Sequence, residues 1–169
     1  MNTGSAKTNL LGMSQDMLEQ FFAERGEKPF RARQVMQWIY QRNVLDFDEM
    51  TDLSKKLREC LHQDAEIVLP RVQARHDSKD GTVKWLFATD CGQAVETVFI
   101  PEPGRGTLCI SSQVGCALDC AFCATGAQGF NRNLTSAEII GQVFVANSEL
   151  PRRENGEPAV TNVVFMGMG

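Results

Sequence analysis

Three cysteines stand within eight residues, Cys116, Cys120 and Cys123, in the run Ser112-Gln-Val-Gly-Cys-Ala-Leu-Asp-Cys-Ala-Phe-Cys-Ala-Thr-Gly126. The C-x3-C-x2-C spacing in a glycine-flanked, polar stretch reads as a loop whose thiolates hold an iron–sulfur cluster, so the fold must present a loop there. A cubane that only carries electrons takes four cysteine ligands; three leave one iron open to bind something else, which points to chemistry. Zinc is the competing metal, but it favours four Cys or His ligands and no histidine lies near this loop. Inert buried cysteines are the other alternative, and the polar surroundings argue against them.

A chain of 169 residues with 43% hydrophobic content can bury a core as one ordinary domain or two small ones. No run approaches the roughly 18 apolar residues of a membrane span, and the first residues lack the apolar core of a secretory signal. A cytoplasmic protein away from membranes is therefore expected. In that compartment its six cysteines are ligands, catalytic groups or free thiols rather than disulfides. The net charge of −4 argues against bulk electrostatic capture of nucleic acid but leaves room for a local basic patch.

Residues 14–60 carry helical periodicity, with Met17, Leu18, Phe21 and Phe22 in one set and Val35, Trp38 and Ile39 in another, and Ser14 and Ser54 fit as N-caps. From Ala65 the period becomes two, predicting an antiparallel meander of strands at 66–73, 83–89 and 94–100 with turns at 78–81 and 90–92. The stretch Pro101-Glu-Pro-Gly-Arg-Gly106 punctuates the chain, so a boundary is expected between an N-terminal accessory domain, 1–101, and a second domain, 102–169. The second begins with a strand at 107–111 and the cysteine loop at 112–134. A helix follows at 135–147, opened by the capping box Thr135-Ser-Ala-Glu138, and an apolar strand at 162–166 completes a βαβ unit. One such unit neither closes a barrel nor covers a parallel sheet, so a truncated piece of a longer α/β protein is expected.

Among single residues, Glu96 falls by alternation on a face with Ala94, Val98 and Ile100. That is an apolar setting that would tune a carboxyl for proton transfer, unless this is an edge-strand glutamate in water. Cys109 shares a face with Thr107 and Ser111, opposite Leu108 and Ile110, which would direct it to a barrel lumen; a small buried cysteine is the alternative. Between Arg25 and Arg42, the basic residues Lys28, Arg31 and Arg33 interleave with Phe30, Trp38 and Tyr40. The segment suits RNA phosphates and bases, or equally a solvated helix face over a core. Residues 46–66 are acidic and unsuited to phosphate. Cys60 and Cys91 read as non-catalytic.

The triplet, with aromatic Phe122 before the last cysteine, resembles the signature of the radical SAM superfamily, and Gly167-Met-Gly169 looks like the start of its glycine-rich motif. Longer stretches are similar to the RlmN family: Lys28-Pro-Phe-Arg-Ala-Arg-Gln34, Trp38-Ile-Tyr40, Glu96-Thr-Val-Phe-Ile-Pro101, Cys109-Ile-Ser-Ser-Gln-Val-Gly-Cys116 and Val163-Val-Phe-Met-Gly-Met-Gly169. The resemblance implies a helical and antiparallel N-terminal domain that helps grip RNA, followed by the first βαβ part of a partial (βα) barrel with its cluster loop at 112–130.

It implies a [4Fe-4S] cluster on Cys116, Cys120 and Cys123, and S-adenosylmethionine, two per turnover, contacted by Gly167, Met168 and Gly169. The activity implied is methylation of adenine C2 in 23S rRNA and tRNA through an S-methylcysteine. Glu96 would be the proton acceptor and Cys109 the resolving thiol of a transient disulfide. The methyl-carrying cysteine matches neither Cys60 nor Cys91, so the 169 residues alone are expected to be inactive. An electron donor such as flavodoxin, and a monomer, complete the expectation. The related Cfr group, which methylates C8, is the near alternative; a non-enzymatic metal-bound RNA-binding module, with Cys109 as fourth ligand, is the distant one.

Overall fold

The structure, a computed structural model, describes residues 7–118, 120, 121 and 123–169. Phe122, whose aromatic ring belongs to the cysteine motif, lies outside the described residues, as do residues 1–6. The chain forms two compact units, divided between Val68 and Leu69.

The first unit is helical. Helix α1 (Gln15–Ala23) starts where the Ser14 hydroxyl accepts from the Met17 amide, and Leu18, Phe21 and Phe22 at i, i+3 and i+4 turn inward. Helix α2 (Phe30–Met36) runs on into a π-helical turn, Gln37–Gln41, which buries Trp38 and Ile39. Helix α3 (Lys55–Asp64), capped by Ser54, adds Leu57 and Leu61 to the core. Two short strands, β1 (Thr8–Asn9) and β2 (Ala65–Glu66), pair in parallel and bring the ends of the unit together.

The second unit is a five-stranded sheet in the order β3 (Arg71–Asp77), β4 (Val83–Ala88), β5 (Ala94–Glu102), β6 (Arg105–Cys109), β9 (Asn162–Val164). The first four strands form an antiparallel meander, and β9 joins β6 in parallel after the crossover helix α4 (Ser136–Glu149). This is the expected mixed α/β architecture with its βαβ unit. Alternation puts Val83, Trp85 and Phe87 of β4 and Val95 and Phe99 of β5 on the buried face, where Leu108, Ile110 and, from α4, Val145 and Ala146 complete one core cluster. Indole Nε1 of Trp85 donates to Glu149 at 2.8 Å, which satisfies the only polar atom of that buried ring.

Two expectations change. The stretch at 101–106 does not separate domains: Pro101 pairs with Gly106 and Glu102 with Arg105, so it is the turn of the β5–β6 hairpin inside one sheet. The division falls instead at 68/69, where the run expected as a single strand breaks ahead of Pro70, which has no amide to donate. The second change concerns Glu96. The apolar-looking face it shares with Ala94, Val98 and Ile100 is the open one, because α4 covers the Val95, Thr97 and Phe99 side; Glu96 and Ile100 are exposed.

Candidate active site

The cysteine loop grows out of the end of β6 and is closed at its base by a small antiparallel ladder absent from the sequence reading, β7 (Gln113–Gly115) with β8 (Phe130–Asn133). Two glycines make that closure possible. Gly115 has φ +74, and a Cβ placed on it would sit 1.8 Å from the carbonyl oxygen of Gly129. Just beyond, the Cys116 amide donates to the same Gly129 carbonyl at 3.2 Å, and Gln113 reaches across to Asn133 at 3.1 Å.

The loop itself is held by the Ala117 amide on Gln113 Oε1, the Cys123 amide on the Cys120 carbonyl, and the Ala127 amide on the Cys123 carbonyl. All six cysteines are free thiols. The Cys123 thiol is held below its ordinary range by hydrogen bonds from the Gly126 and Thr125 amides, which favour the thiolate a metal requires.

The arm β8 is anchored by Arg132. Its guanidinium takes both oxygens of Glu138 at 2.8 and 2.9 Å and also pairs with Asp90 in the β4–β5 turn. Glu138 in turn serves the capping box of α4 with Thr135. Glu138 is held below its ordinary range, by Arg132 first and then the Thr135 amide, with burial opposing.

The glycine turn reaches the same edge from β9. The amides of Ser112 and Gln113 both donate to the Met168 carbonyl, at 2.9 and 3.0 Å, and the Gly167 amide donates to the Ile110 carbonyl. Cβ atoms on Gly167 or Gly169 would fall 2.6 Å from Ser111 Oγ or Gln113 Cγ, so only glycine passes here. Met168 is buried in the core cluster, its amide donating to Ser111 Oγ and its carbonyl accepting from the Ser112 and Gln113 amides. The mouth of the cysteine loop and the turn at 167–169 thus sit together beyond the carboxyl ends of two parallel strands, where α/β sheets keep their ligand sites.

Cys109 pairs with Val98 on one side and Val164 on the other, on the open face opposite Leu108 and Ile110. Partial burial pushes its thiol above the ordinary range, with a bond from the Met166 amide opposing. Glu96 lies on the same face and its carboxylate is not buried: it meets Lys84 Nζ at 2.9 Å with both side chains nearly half exposed. Cys60 lies on α3 of the first unit, and Cys91 lies in the β4–β5 turn.

In the basic segment, Arg25 is spent on Asp64, on the Phe21 carbonyl and on the Phe21 ring, and Arg31 on Glu27 and Gln34. Lys28, Phe30 and Arg33 face solvent. Among the described residues, the one set of three that draws metal-ligating atoms within 4.8 Å is Asp46, Asp48 and His62, all exposed and without a cysteine. A zinc site favours four Cys or His ligands, whereas a cubane with one open iron takes three cysteines, each on a different iron. Three free thiols around a closed loop fit such a cluster. Among the described residues no helix is long and apolar enough to cross a membrane.

With this sheet, its strand-end cysteine triplet and its glycine turn, the chain is similar to proteins of the radical SAM class. A solved radical SAM methyltransferase from Sphaerobacter thermophilus superposes with a TM-score of 0.82 at 41% identity, over 96% of this chain and 47% of that one.

Residues 8–67 match the model of the ribosomal RNA large subunit methyltransferase N-terminal domain. A protein of Alkalilimnicola ehrlichii described as dual-specificity RNA methyltransferase RlmN is 60% identical over 95% of this chain and 44% of its own length. One from Marinobacter nauticus with the same description is 58% identical over 99% of this chain and 46% of its own. The chain is thus similar over nearly its whole length to proteins described as RlmN, and it spans about half the length of the curated relatives it matches.

Proposed function

We propose that this chain carries the cluster-binding part of a cytoplasmic, monomeric radical SAM methyltransferase that acts on C2 of adenine in 23S rRNA and tRNA through an S-methylcysteine. The observation that carries the reading is the pair of hydrogen bonds from Ser112 and Gln113 to Met168, which sets the cysteine loop and the glycine turn side by side. Cys116, Cys120 and Cys123 would hold a [4Fe-4S] cluster, and Gly167 and Gly169 would let the methionine end of S-adenosylmethionine approach the backbone.

When bound, the cluster and two S-adenosylmethionine molecules per turnover supply a methyl group and one-electron chemistry, with electrons from a donor such as flavodoxin. That chemistry suits adenine C2, an electron-poor carbon that does not attack a sulfonium methyl as an amine would. The chain's own groups do the rest. Glu96, on the open face beside Lys84, is the acceptor for the C2 proton, and its exposure keeps it within reach of a flipped base. Cys109 is the resolving thiol: its sulfur attacks the sulfur of the methyl-carrying cysteine, the disulfide forms as that sulfur's bond to the carbon joined to the base breaks, and the electron pair of the broken bond passes to the base, which is released methylated; partial burial favours the protonated thiol beforehand. Lys28, Phe30 and Arg33 offer phosphate and base contacts.

The test is anaerobic reconstitution of the chain with iron and sulfide, followed by electron paramagnetic resonance of the reduced protein with and without S-adenosylmethionine. A cubane signal that shifts on adding the cofactor is expected. Zinc in place of iron, or a cubane indifferent to the cofactor, would sink the reading.

A further inference from the structure

Among the described residues of the second unit, three polar side chains are completely buried: Thr97, Ser111 and Gln142. They form one network in which every donor of the Ser111 and Gln142 side chains and of the Ser111 amide is used. The Gln142 amide oxygen accepts from Thr97 Oγ1 at 2.6 Å and from the Ser111 amide at 2.9 Å; its nitrogen donates to the Ser111 carbonyl at 2.9 Å and to the Glu138 carbonyl at 3.2 Å. The last paired residues of β5 and β6 are Val98 and Cys109, and just past that point the side chain from α4 supplies the two hydrogen bonds a strand neighbour would have given Ser111. Next to Gln142, α4 comes close to the segment just ahead of β3 at Gly141, where a Cβ would stand 2.1 Å from Pro70 Cδ.

With its backbone fixed, the Ser111 hydroxyl has a single task at each end. It donates to the Glu96 carbonyl at 2.6 Å and accepts from the Met168 amide at 2.9 Å. It also stands 2.6 Å from where a Cβ on Gly167 would lie. One hydroxyl thus touches the strand of the proton acceptor, the root of the cysteine loop and the glycine turn.

We infer that Ser111, clamped by Gln142, is a positioning residue that sets the turn at 167–169 against the mouth of the cysteine loop and so fixes where the methionine end of S-adenosylmethionine docks. The inference rests on the reading of that turn as the cofactor site. An apolar residue in place of Ser111 would leave the core filled but the Met168 amide and Glu96 carbonyl buried without partners, and the turn would be free to shift.

The test compares the reconstituted chain with Ser111→Ala and Gln142→Met. Iron content is read by analysis, cofactor affinity by titrating S-adenosylmethionine into the reduced cluster's resonance signal, and the turn by hydrogen exchange at the Met168 amide without iron. Unchanged iron, roughly tenfold weaker cofactor binding and faster Met168 exchange in both variants are expected. Cofactor affinity equal to the parent chain overturns the inference and leaves the proposed function standing. Iron lost in proportion to cofactor overturns it too, since the network would then be merely structural.

Should neither variant fold, the parent chain decides through exchange: a Met168 amide protected like the core supports the clamp, and one exchanging like a surface amide refutes it. A parent chain that takes iron but shows no cofactor shift removes the proposed function, and the exchange result still judges the clamp.

Discussion

Gly115 and Gly129 approach so closely that any side chain on Gly115 would penetrate the Gly129 carbonyl. Substituting Gly115 with alanine meets that clash and a positive φ, which alone costs about 1–2 kcal/mol for a residue with a Cβ. The β7–β8 ladder should open while the five-stranded sheet stays folded. Reconstituted Gly115→Ala is therefore expected to retain its far-ultraviolet circular dichroism yet bind less than half the iron of the parent, measured as iron and sulfide per chain.

The triplet, the glycine turn, the helix caps and the βαβ order were all legible, because each depends on local spacing or on a residue's own backbone preference. What was not legible depended on a partner distant in sequence. Both faces of β5 are rich in apolar residues, Val95 and Phe99 on one and Val98 and Ile100 on the other, so alternation alone could not choose which face α4 covers. One choice buries Glu96 and the other leaves it in solvent, where the structure has it. Proline and glycine at 101–106 mark a turn, and whether a turn joins two strands of one sheet or two domains is decided by pairing, here Glu102 with Arg105. Ser111 and Gln142 are individually ordinary, and only their meeting across 31 positions gives them meaning.

Arg132 ties the second arm of the cysteine loop to α4 through Glu138, whose carboxyl is depressed in the folded chain. A depressed folded value contributes stability that is present above the unfolded glutamate range and lost as pH falls through the folded one. The melting temperature should accordingly drop on acidification through and below the usual carboxylate range. In Arg132→Gln the near-neutral melting temperature should be lower by a few degrees and the Glu138 share of the acid dependence should vanish. Equal slopes of melting temperature against pH in the two proteins would count against this anchor.

Glu96 and Lys84 form a solvent-facing pair, and such pairs contribute about 0–1 kcal/mol. Glu96→Gln should consequently unfold in urea within about 1 kcal/mol of the parent, with the same iron content. A buried, uncompensated carboxylate would behave otherwise: its replacement by the neutral amide would stabilise the chain. Since the substitution barely perturbs the fold, any loss of turnover it causes in a complete enzyme reports the proton transfer itself.

The basic segment separates into residues that hold the first unit together and residues that face solvent. Arg25 sits 3.6 Å from the centre of the Phe21 ring and 3.0 Å from Asp64, so Arg25→Gln should lower the melting temperature with little direct effect on RNA. Lys28 and Arg33 are exposed beside Phe30, itself 46% exposed with the Arg31 guanidinium 4.7 Å from its ring centre, and aromatic rings of this kind can stack on bases. Neutralising a phosphate releases counterions, so each lost contact flattens the dependence of log K on log salt by about one. The double substitution Lys28→Gln with Arg33→Gln should keep the parent melting temperature, weaken binding to an rRNA hairpin and reduce that slope by about two in fluorescence anisotropy across salt. An unchanged slope would mean that this face of the helical unit does not meet the phosphate backbone and that the grip on RNA lies elsewhere.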